Sequence, residues 1–95
     1  MSFRVRPSAA ADLDEVRLWY ERQQPGLGSA FAGEVTQALR AILAHPEAGA
    51  RVTRRTRRWW LRRFPYALYY HHDNDLIVLV ACLHGRRAPR PPGIE

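Results

Sequence analysis

The sequence predicts an α+β fold, in which an antiparallel helical hairpin packs on one face of a small, mostly antiparallel four-stranded sheet. The first half of the chain holds two segments with helical spacing of apolar residues, joined by a short Pro-Gly loop. The second half holds three extended segments, and the last of these, residues 76–83, is apolar at every position. A strand that is apolar on both sides must be covered on both faces of its sheet. The expected order is therefore β-α-α-β-β-β, with helices covering the sheet.

The first strand is short. Phe3-Arg4-Val5-Arg6 alternates apolar and charged residues, which is typical of a strand with one buried face, and Pro7 stops it. We expect this strand to pair with the edge of the 76–83 strand, because a strand that is apolar on both sides needs a neighbour on each edge.

Both helices are predicted from apolar stripes. Ser8 is the predicted N-cap of the first helix. The stripe of that helix consists of Ala9, Leu13, Val16 and Tyr20. The second helix should run from about Ser29 to His45 and end at Pro46. Because the Pro25–Gly28 loop is short, the two helices should form an antiparallel hairpin with its apolar side on the sheet.

The last three strands should form an antiparallel meander. We place them at about Arg57–Arg63, Tyr66–His72 and Leu76–Leu83, with the turn-forming residues 73–75 between the last two. On the middle strand, Tyr66, Leu68 and Tyr70 should share one face, and Ala67, Tyr69 and His71 the other. The predicted core includes Leu13, Val16, Val35, Leu39, Ile42, Leu68, Val78 and Val80.

The C-terminal composition sets the domain boundary. Pro89, Pro91, Pro92 and Gly93 cannot continue a helix or a sheet, so we predict one domain over residues 1–88 and a Pro-rich tail over residues 89–95. The single Cys82 excludes a disulfide framework and favours a reducing cytoplasm. Because Arg4 and Arg6 interrupt the first apolar run, we expect no signal peptide, anchor or membrane association.

The net charge of +6 comes entirely from arginine, since the chain has no lysine. Planar guanidinium groups bind carboxylate or phosphate in a bidentate manner, so the charge predicts an acidic partner, either protein or nucleic acid. The arginines from Arg54 to Arg63 surround Trp59 and Trp60, and three interpretations stay open for them. They can form a nucleic-acid surface, a contact for an acidic protein, or a solvated face above one packed tryptophan.

Catalytic and metal chemistry are weakly supported. His71 and His72 are adjacent on a strand and point to opposite faces, so they cannot both bind one metal ion together with His84. Cys82 lies in the apolar strand without a neighbouring base that would lower the pKa of its thiol. We therefore predict no catalytic residue, no metal site and no cofactor.

The segment His84-Gly85-Arg86-Arg87 is the strongest functional candidate. A buried strand ends there and fixes the direction of the side chains, and Gly85 permits close approach of another backbone. The alternative is that two arginines merely cap a strand end.

The same region carries a family resemblance. The run RRFPYALYYHHDNDLIVLVACLHGRRAPR, with Phe64-Pro65-Tyr66 before one strand and His84-Gly85-Arg86-Arg87 after the next, resembles the ParE/RelE superfamily of bacterial toxins, and within it the ParE branch. The resemblance extends over nearly the whole chain, because the N-terminal half has the strand and two helices of that fold. It implies a RelE/ParE-like domain that acts as the toxin of a type II toxin–antitoxin system.

The ParE branch implies inhibition of DNA gyrase by binding, and neutralisation by an acidic, ParD-like antitoxin in a hetero-oligomeric complex. The RelE branch implies instead a metal-independent, ribosome-dependent mRNA endonuclease. Arg62, Arg63, Arg86 and His84 could serve that chemistry, but no tyrosine follows Arg87 as a C-terminal acid or base. We therefore favour the binding toxin. The predicted target contacts are His84, Arg86, Arg87 and Arg90, and the predicted antitoxin contacts are Trp59, Arg62, Arg63 and Tyr70.

Overall fold

The computed structural model describes residues 2–85, which form two helices and one five-stranded sheet. The helices are α1 (Pro7–Gln23) and α2 (Leu27–Ala44). The strands are β1 (Ser2–Val5), β2 (Ala50–Arg51), β3 (Thr56–Trp60), β4 (Tyr66–Asp73) and β5 (Leu76–His84). The α+β class and the helical hairpin are confirmed. The predicted strand number is wrong by one, because residues 50–51 pair with β3 and form an extra edge strand.

The strands lie in the order β1-β5-β4-β3-β2. The neighbours β2–β3, β3–β4 and β4–β5 are antiparallel, whereas β1 runs parallel to β5 with Phe3 opposite Ile77. The apolar strand β5 thus has a neighbour on each edge, as its composition predicted. Its connection to β4 is a tight turn in which Asn74 adopts a left-handed backbone with φ of 51°. Asparagine tolerates that conformation better than most residues.

The β4–β5 pair contains an irregularity. Tyr69 lies opposite Ala81 and Tyr70 lies opposite Leu79, so Val80 is an extra residue on β5. Such a bulge shifts the alternation of side chains by one position. As a result, Val80 and Ala81 both belong to the cluster on one face, while Cys82 belongs to the cluster on the other.

Helix α1 begins earlier than predicted. Its N-cap is Arg6 and its first residue is Pro7, whose fixed φ suits that position. Ser8 is therefore not the N-cap, and its hydroxyl instead donates a hydrogen bond to the carbonyl of Val80 at 3.3 Å. This bond joins the first turn of α1 to the bulge of β5.

The loop between the helices is held by one carboxylate. Glu21 accepts hydrogen bonds from the backbone N–H groups of Gly26 and Gly28 at 3.0 to 3.1 Å. A side chain at Gly28 would lie 2.7 Å from the carbonyl of Arg17, so only glycine permits this close approach. Helix α2 consequently starts at Leu27, two residues before the predicted Ser29.

The sheet has two different faces. The helix face carries the main core, in which both helices pack against Leu68, Tyr70, Ile77 and Leu79. We call the opposite side the far face; its buried residues are Ala67, Tyr69, Val80 and Ala81. The predicted division of Tyr66, Leu68 and Tyr70 from Ala67 and Tyr69 is confirmed. Of the predicted core, Val16, Val35, Ile42, Leu68 and Val80 are buried, while Leu13, Leu39 and Val78 are partly buried.

Strand β3 ends at Trp60 rather than at Arg63. The N–H of Leu61 still bonds to the carbonyl of Tyr66, but the N–H groups of Arg62 and Arg63 turn toward the side chain of Glu34 in α2. The arginine-rich segment is therefore divided into a strand and a loop held by a helix.

Candidate functional surfaces

The loop after β3 and the adjacent side of α2 form a groove, which we call the α2 groove. It is lined by Glu34, Gln37, Ala38, Ala41 and residues 59–63, and it holds about 400 Å³. The Glu34 carboxylate accepts hydrogen bonds from the backbone of both Arg62 and Arg63. These bonds fix the backbone of the two arginines, and both residues are exposed and line the groove.

The two adjacent tryptophans have different surroundings. Trp59 packs against the core on the helix face and also lines the α2 groove. Trp60 is 45% exposed, and the guanidinium carbon of Arg58 lies 5.3 Å from its ring centroid. Of the predicted antitoxin contacts, the structure brings Trp59, Arg62 and Arg63 together in one groove.

The fourth predicted contact, Tyr70, has to be corrected. Its side chain has no exposed surface, so it cannot provide a contact in this conformation. The hydroxyl donates a hydrogen bond to the carbonyl of Pro46 at 2.8 Å and accepts one from the N–H of Gly49 at 3.2 Å. Burial raises the pKa of the Tyr70 hydroxyl, which keeps it protonated and able to donate. Tyr70 thus anchors the connection between α2 and β2.

The end of β5 borders a second groove, which we call the α1 groove. It holds about 660 Å³ and is lined by Asp12, Glu15, Val16, Trp19, Arg22, Tyr66, Cys82, Leu83 and His84. His84 is partly buried, and its ring lies edge-on to Tyr66 with 5.2 Å between the ring centroids. The other three predicted target contacts, Arg86, Arg87 and Arg90, lie outside the described residues.

The floor of the α1 groove is not suited to nucleophilic chemistry. Burial, together with the nearby carboxylate of Asp12, raises the pKa of the Cys82 thiol to about 12. A thiol with that pKa is almost entirely protonated at neutral pH and is a poor nucleophile. Asp12 accepts a hydrogen bond from the N–H of Cys82 at 3.1 Å, and burial raises its own pKa despite that bond.

A third surface is strongly basic and nearly free of apolar groups. It surrounds the β2–β3 turn and is lined by Glu47, Arg51, Thr53, Arg54, Arg55, Thr56, Arg57 and His72. The Thr53 hydroxyl accepts hydrogen bonds from the N–H groups of Arg55 and Thr56, which fixes the turn. Arg57 donates to the carbonyls of Glu47 and Gly49, and Arg55 lies 3.6 Å from Asp73.

The structural roles of Glu34 and Asp12 could not be found in the sequence. Each carboxylate binds backbone N–H groups that are distant along the chain, 28 and 29 residues away for Glu34 and 70 for Asp12. Neither lies in a local motif, so only the tertiary fold brings these partners together.

Between residues 2 and 85 there is no group of three or more histidine, cysteine or carboxylate side chains that could hold a metal ion. Within the same range, neither helix is long and apolar enough to cross a bilayer.

Comparisons with known proteins agree with this architecture. A solved structure described as "Chromosomal ParDE TA system from P. aeruginosa" superposes with a TM-score of 0.76 at 20% sequence identity, covering 88% of this chain and 95% of that chain. A search of curated proteins gives no match. The family described as "ParE toxin of type II toxin-antitoxin system, parDE" matches residues 3–89. The resemblance inferred from residues 62–90 is confirmed, and the chain belongs to the ParE toxin family of type II toxin–antitoxin systems.

Proposed function

We propose that this chain is a toxin that inhibits DNA gyrase by binding it, and that a cognate acidic, ParD-like antitoxin neutralises it in the cytoplasm. Membership of the ParE toxin family is the observation that carries this proposal. The similar structure from P. aeruginosa is described as a ParDE system, which supports a hetero-oligomeric complex with an antitoxin.

The α2 groove is the proposed antitoxin site. An amphipathic segment of the antitoxin would place apolar residues against Trp59, Ala38 and Ala41, and carboxylates against Arg62 and Arg63. Aromatic and arginine side chains are the residue types that most often dominate binding energy at protein interfaces. The groove supplies both, and Glu34 fixes the backbone that presents the arginines.

The antitoxin site can be tested by charge reversal. The double variant Arg62→Glu/Arg63→Glu should weaken binding of the antitoxin by at least about tenfold, because two attractive contacts become repulsive. Arg54→Glu/Arg55→Glu makes the same change in net charge on the basic β2–β3 turn and is the matched control. Isothermal titration calorimetry of both variants provides the comparison. Equal weakening by the two variants would show that only total charge matters and would contradict the assignment of the groove.

The proposed target surface consists of His84, Arg86, Arg87 and Arg90. It is supported by His84, which lies at the end of a nine-residue strand and borders the α1 groove. Arginines at such a position can form bidentate bonds to carboxylate or phosphate groups. These residues also follow Gly85, which is packed against Trp60.

Two assays on the purified chain distinguish the possible targets. We expect inhibition of gyrase supercoiling and no cleavage of mRNA in translating ribosomes. Arg86→Ala/Arg87→Ala should abolish the inhibition while antitoxin binding persists, and Arg54→Ala/Arg55→Ala, with the same loss of charge, should not. Cleavage of ribosome-bound mRNA without any effect on gyrase would replace this proposal with the RelE-like endonuclease function.

A further inference from the structure

The surface around the β2–β3 turn is strongly basic and is not part of the proposed antitoxin or target surfaces. A pocket of about 160 Å³ there is lined by one carboxylate, that of Glu47, and by four arginines, Arg51, Arg54, Arg55 and Arg57. Among residues 2–85, only one of the four forms an ion pair, at 3.6 Å between Arg55 and Asp73. Both partners of that pair are exposed, so it contributes little. The surface therefore keeps an excess of positive charge.

The two strands that carry this surface place like charges side by side. Arg51 on β2 lies directly opposite Arg57 on β3, in a two-residue ladder at the edge of the sheet. Like charges in directly opposite positions destabilise a pair of strands. Departures from such local rules are expected mainly at functional sites. The ligand that would relieve this repulsion is an anion, because neither guanidinium group has a carboxylate partner within residues 2–85.

Hydrogen bonds to backbone carbonyls hold these two arginines in place. Arg51 donates to the carbonyl of Arg54 at 3.0 Å. Arg57 donates to the carbonyls of Glu47 and Gly49 at 3.0 and 2.9 Å. All three bonds use Nη1, and a guanidinium group has five N–H donors, so several donors of each arginine remain for a ligand. A surface that is already held in one conformation loses little entropy when a ligand docks.

The residue types of this surface favour phosphate over an acidic protein. Among the described residues that line it, none is a phenylalanine, tyrosine, tryptophan or aliphatic residue. Protein interfaces gain most of their affinity from buried anchors, of which aromatic side chains are a main class. Arginine and threonine side chains, by contrast, are typical contacts to the phosphates of a nucleic acid, where they position the protein without reading the bases.

The same composition distinguishes between kinds of nucleic acid. Single strands are bound by stacking their bases on aromatic side chains, and the lining residues of this surface include no such platform beyond the imidazole of His72. Duplex RNA is recognised partly through its 2′-hydroxyl groups. The carbonyls of Glu47, Gly49 and Arg54, which could accept from such hydroxyls, already accept from arginines of the turn. A surface that offers mainly donors fits the phosphates of duplex DNA.

We propose that the β2–β3 turn binds the phosphate backbone of double-stranded DNA, independently of base sequence, through Arg51, Arg54, Arg55 and Arg57. This contact is separate from the α2 groove, which has an aromatic anchor, and from the surface at the end of β5. The proposal depends neither on gyrase being the target nor on the antitoxin.

The salt dependence of DNA binding tests this proposal. Each phosphate contact adds about 0.9 to the slope of log affinity against log salt concentration, because bound counterions are released. Arg54→Ala/Arg55→Ala should therefore reduce the slope by about 2 for a duplex of about 20 base pairs. Arg62→Ala/Arg63→Ala removes the same charge from exposed residues of the α2 groove and should leave the slope unchanged. Fluorescence anisotropy of the full-length chain with labelled duplexes of two unrelated sequences provides the slopes.

Chemical-shift mapping of the wild-type chain locates the contact without any substitution. Titration with the duplex should shift the amide signals of Arg54 and Arg55 more than those of Arg62 and Arg63. The largest shifts elsewhere in the chain would overturn the proposal. Equal loss of slope in the two double variants would also overturn it, because only net charge would then matter. So would tighter binding of polyglutamate, single-stranded DNA or duplex RNA than of duplex DNA, or no measurable binding of the duplex at about 0.05 M salt.

Discussion

Asp12 connects α1 to the sheet, although its environment in the fold disfavours the ionised form of its carboxyl group. Its carboxylate accepts a hydrogen bond from the N–H of Cys82 and so ties the middle of α1 to β5. The fold partly buries this carboxylate and places Glu15 nearby, and both effects raise the pKa of Asp12 more than the hydrogen bond lowers it. The neutral form is therefore favoured in the folded state relative to the unfolded chain.

This raised pKa makes a prediction about pH. Because the folded pKa of Asp12 lies above the ordinary aspartate value of 3.8, the folded state binds a proton at this residue more tightly than the unfolded chain does. The resulting contribution of Asp12 to stability is fully present below pH 3.8 and is lost as the pH rises through the folded pKa. Asp12→Asn keeps an oxygen acceptor but cannot ionise. The stability of this variant relative to the wild type should increase between pH 3 and pH 7, as measured by urea unfolding. Asp14→Asn, at an exposed position of α1, is the control variant; a similar rise in both variants would refute the role of burial.

Tyr70 is a second residue whose side chain holds distant backbone. Its hydroxyl bonds to both Pro46 and Gly49, and a side chain at Gly49 would collide with it. Tyr70→Phe should lower the free energy of unfolding by about 1–3 kcal/mol, because a buried N–H group and a partly buried carbonyl lose their partner. Tyr20→Phe removes a hydroxyl that makes no hydrogen bond within residues 2–85 and should cost much less. Thermal denaturation of both variants tests this difference, and equal losses would contradict it.

At the scale of elements, the bulge of β5 determines which residues face the helices. Val80 is the extra residue of the bulge, is 4% exposed, and accepts the hydrogen bond of Ser8 through its carbonyl. Without the extra residue, Cys82 would lie on the same face as Val80, and Leu83 would point toward the helices. The bulge therefore determines which side chains of β5 border the α1 groove.

Truncation of Val80 measures how strongly the far face contributes to stability. Val80→Ala should cost about 1–3 kcal/mol, because it removes two buried methyl groups from a packed face. Val5→Ala makes the same chemical change on β1, where the side chain is 40% exposed, and should stay within about 0.5 kcal/mol of the wild type. Chemical denaturation gives both values. A cost for Val80→Ala as small as that for Val5→Ala would show that this face is not closed in solution.

The same elements show which parts of the fold the sequence could predict. The apolar run 76–83 and the Pro25–Gly28 loop predicted a two-sided strand and a helical hairpin, because both signals depend on local periodicity and turn chemistry. The short strand β2 could not be predicted, since two residues carry no periodicity. The end of β3 at Trp60 and the burial of Tyr70 were missed because Glu34, Pro46 and Gly49 determine them from a distance.

At the scale of the molecule, the arginines divide into separate surfaces. Arg62 and Arg63 lie at the α2 groove beside Trp59, while Arg51, Arg54, Arg55 and Arg57 surround the β2–β3 turn. The first surface combines charge with an aromatic anchor, and the second has almost no apolar side chains. Protein interfaces gain most of their affinity from buried aromatic and arginine anchors, so the first is the better contact for a protein partner.

This division predicts how the antitoxin complex responds to salt. Exposed charges attract a partner over distances of about one Debye length, which is about 10 Å at 0.1 M ionic strength. Binding should therefore weaken as salt rises, mainly through a slower association rate, while dissociation, which depends on the contacts at Trp59, changes little. Stopped-flow fluorescence between about 0.05 and 0.5 M salt can measure both rates. Arg54→Ala/Arg55→Ala should reduce the salt dependence of association without changing the dissociation rate. An association rate that is indifferent to salt in the wild-type chain would show that the arginines play no part in steering the partner.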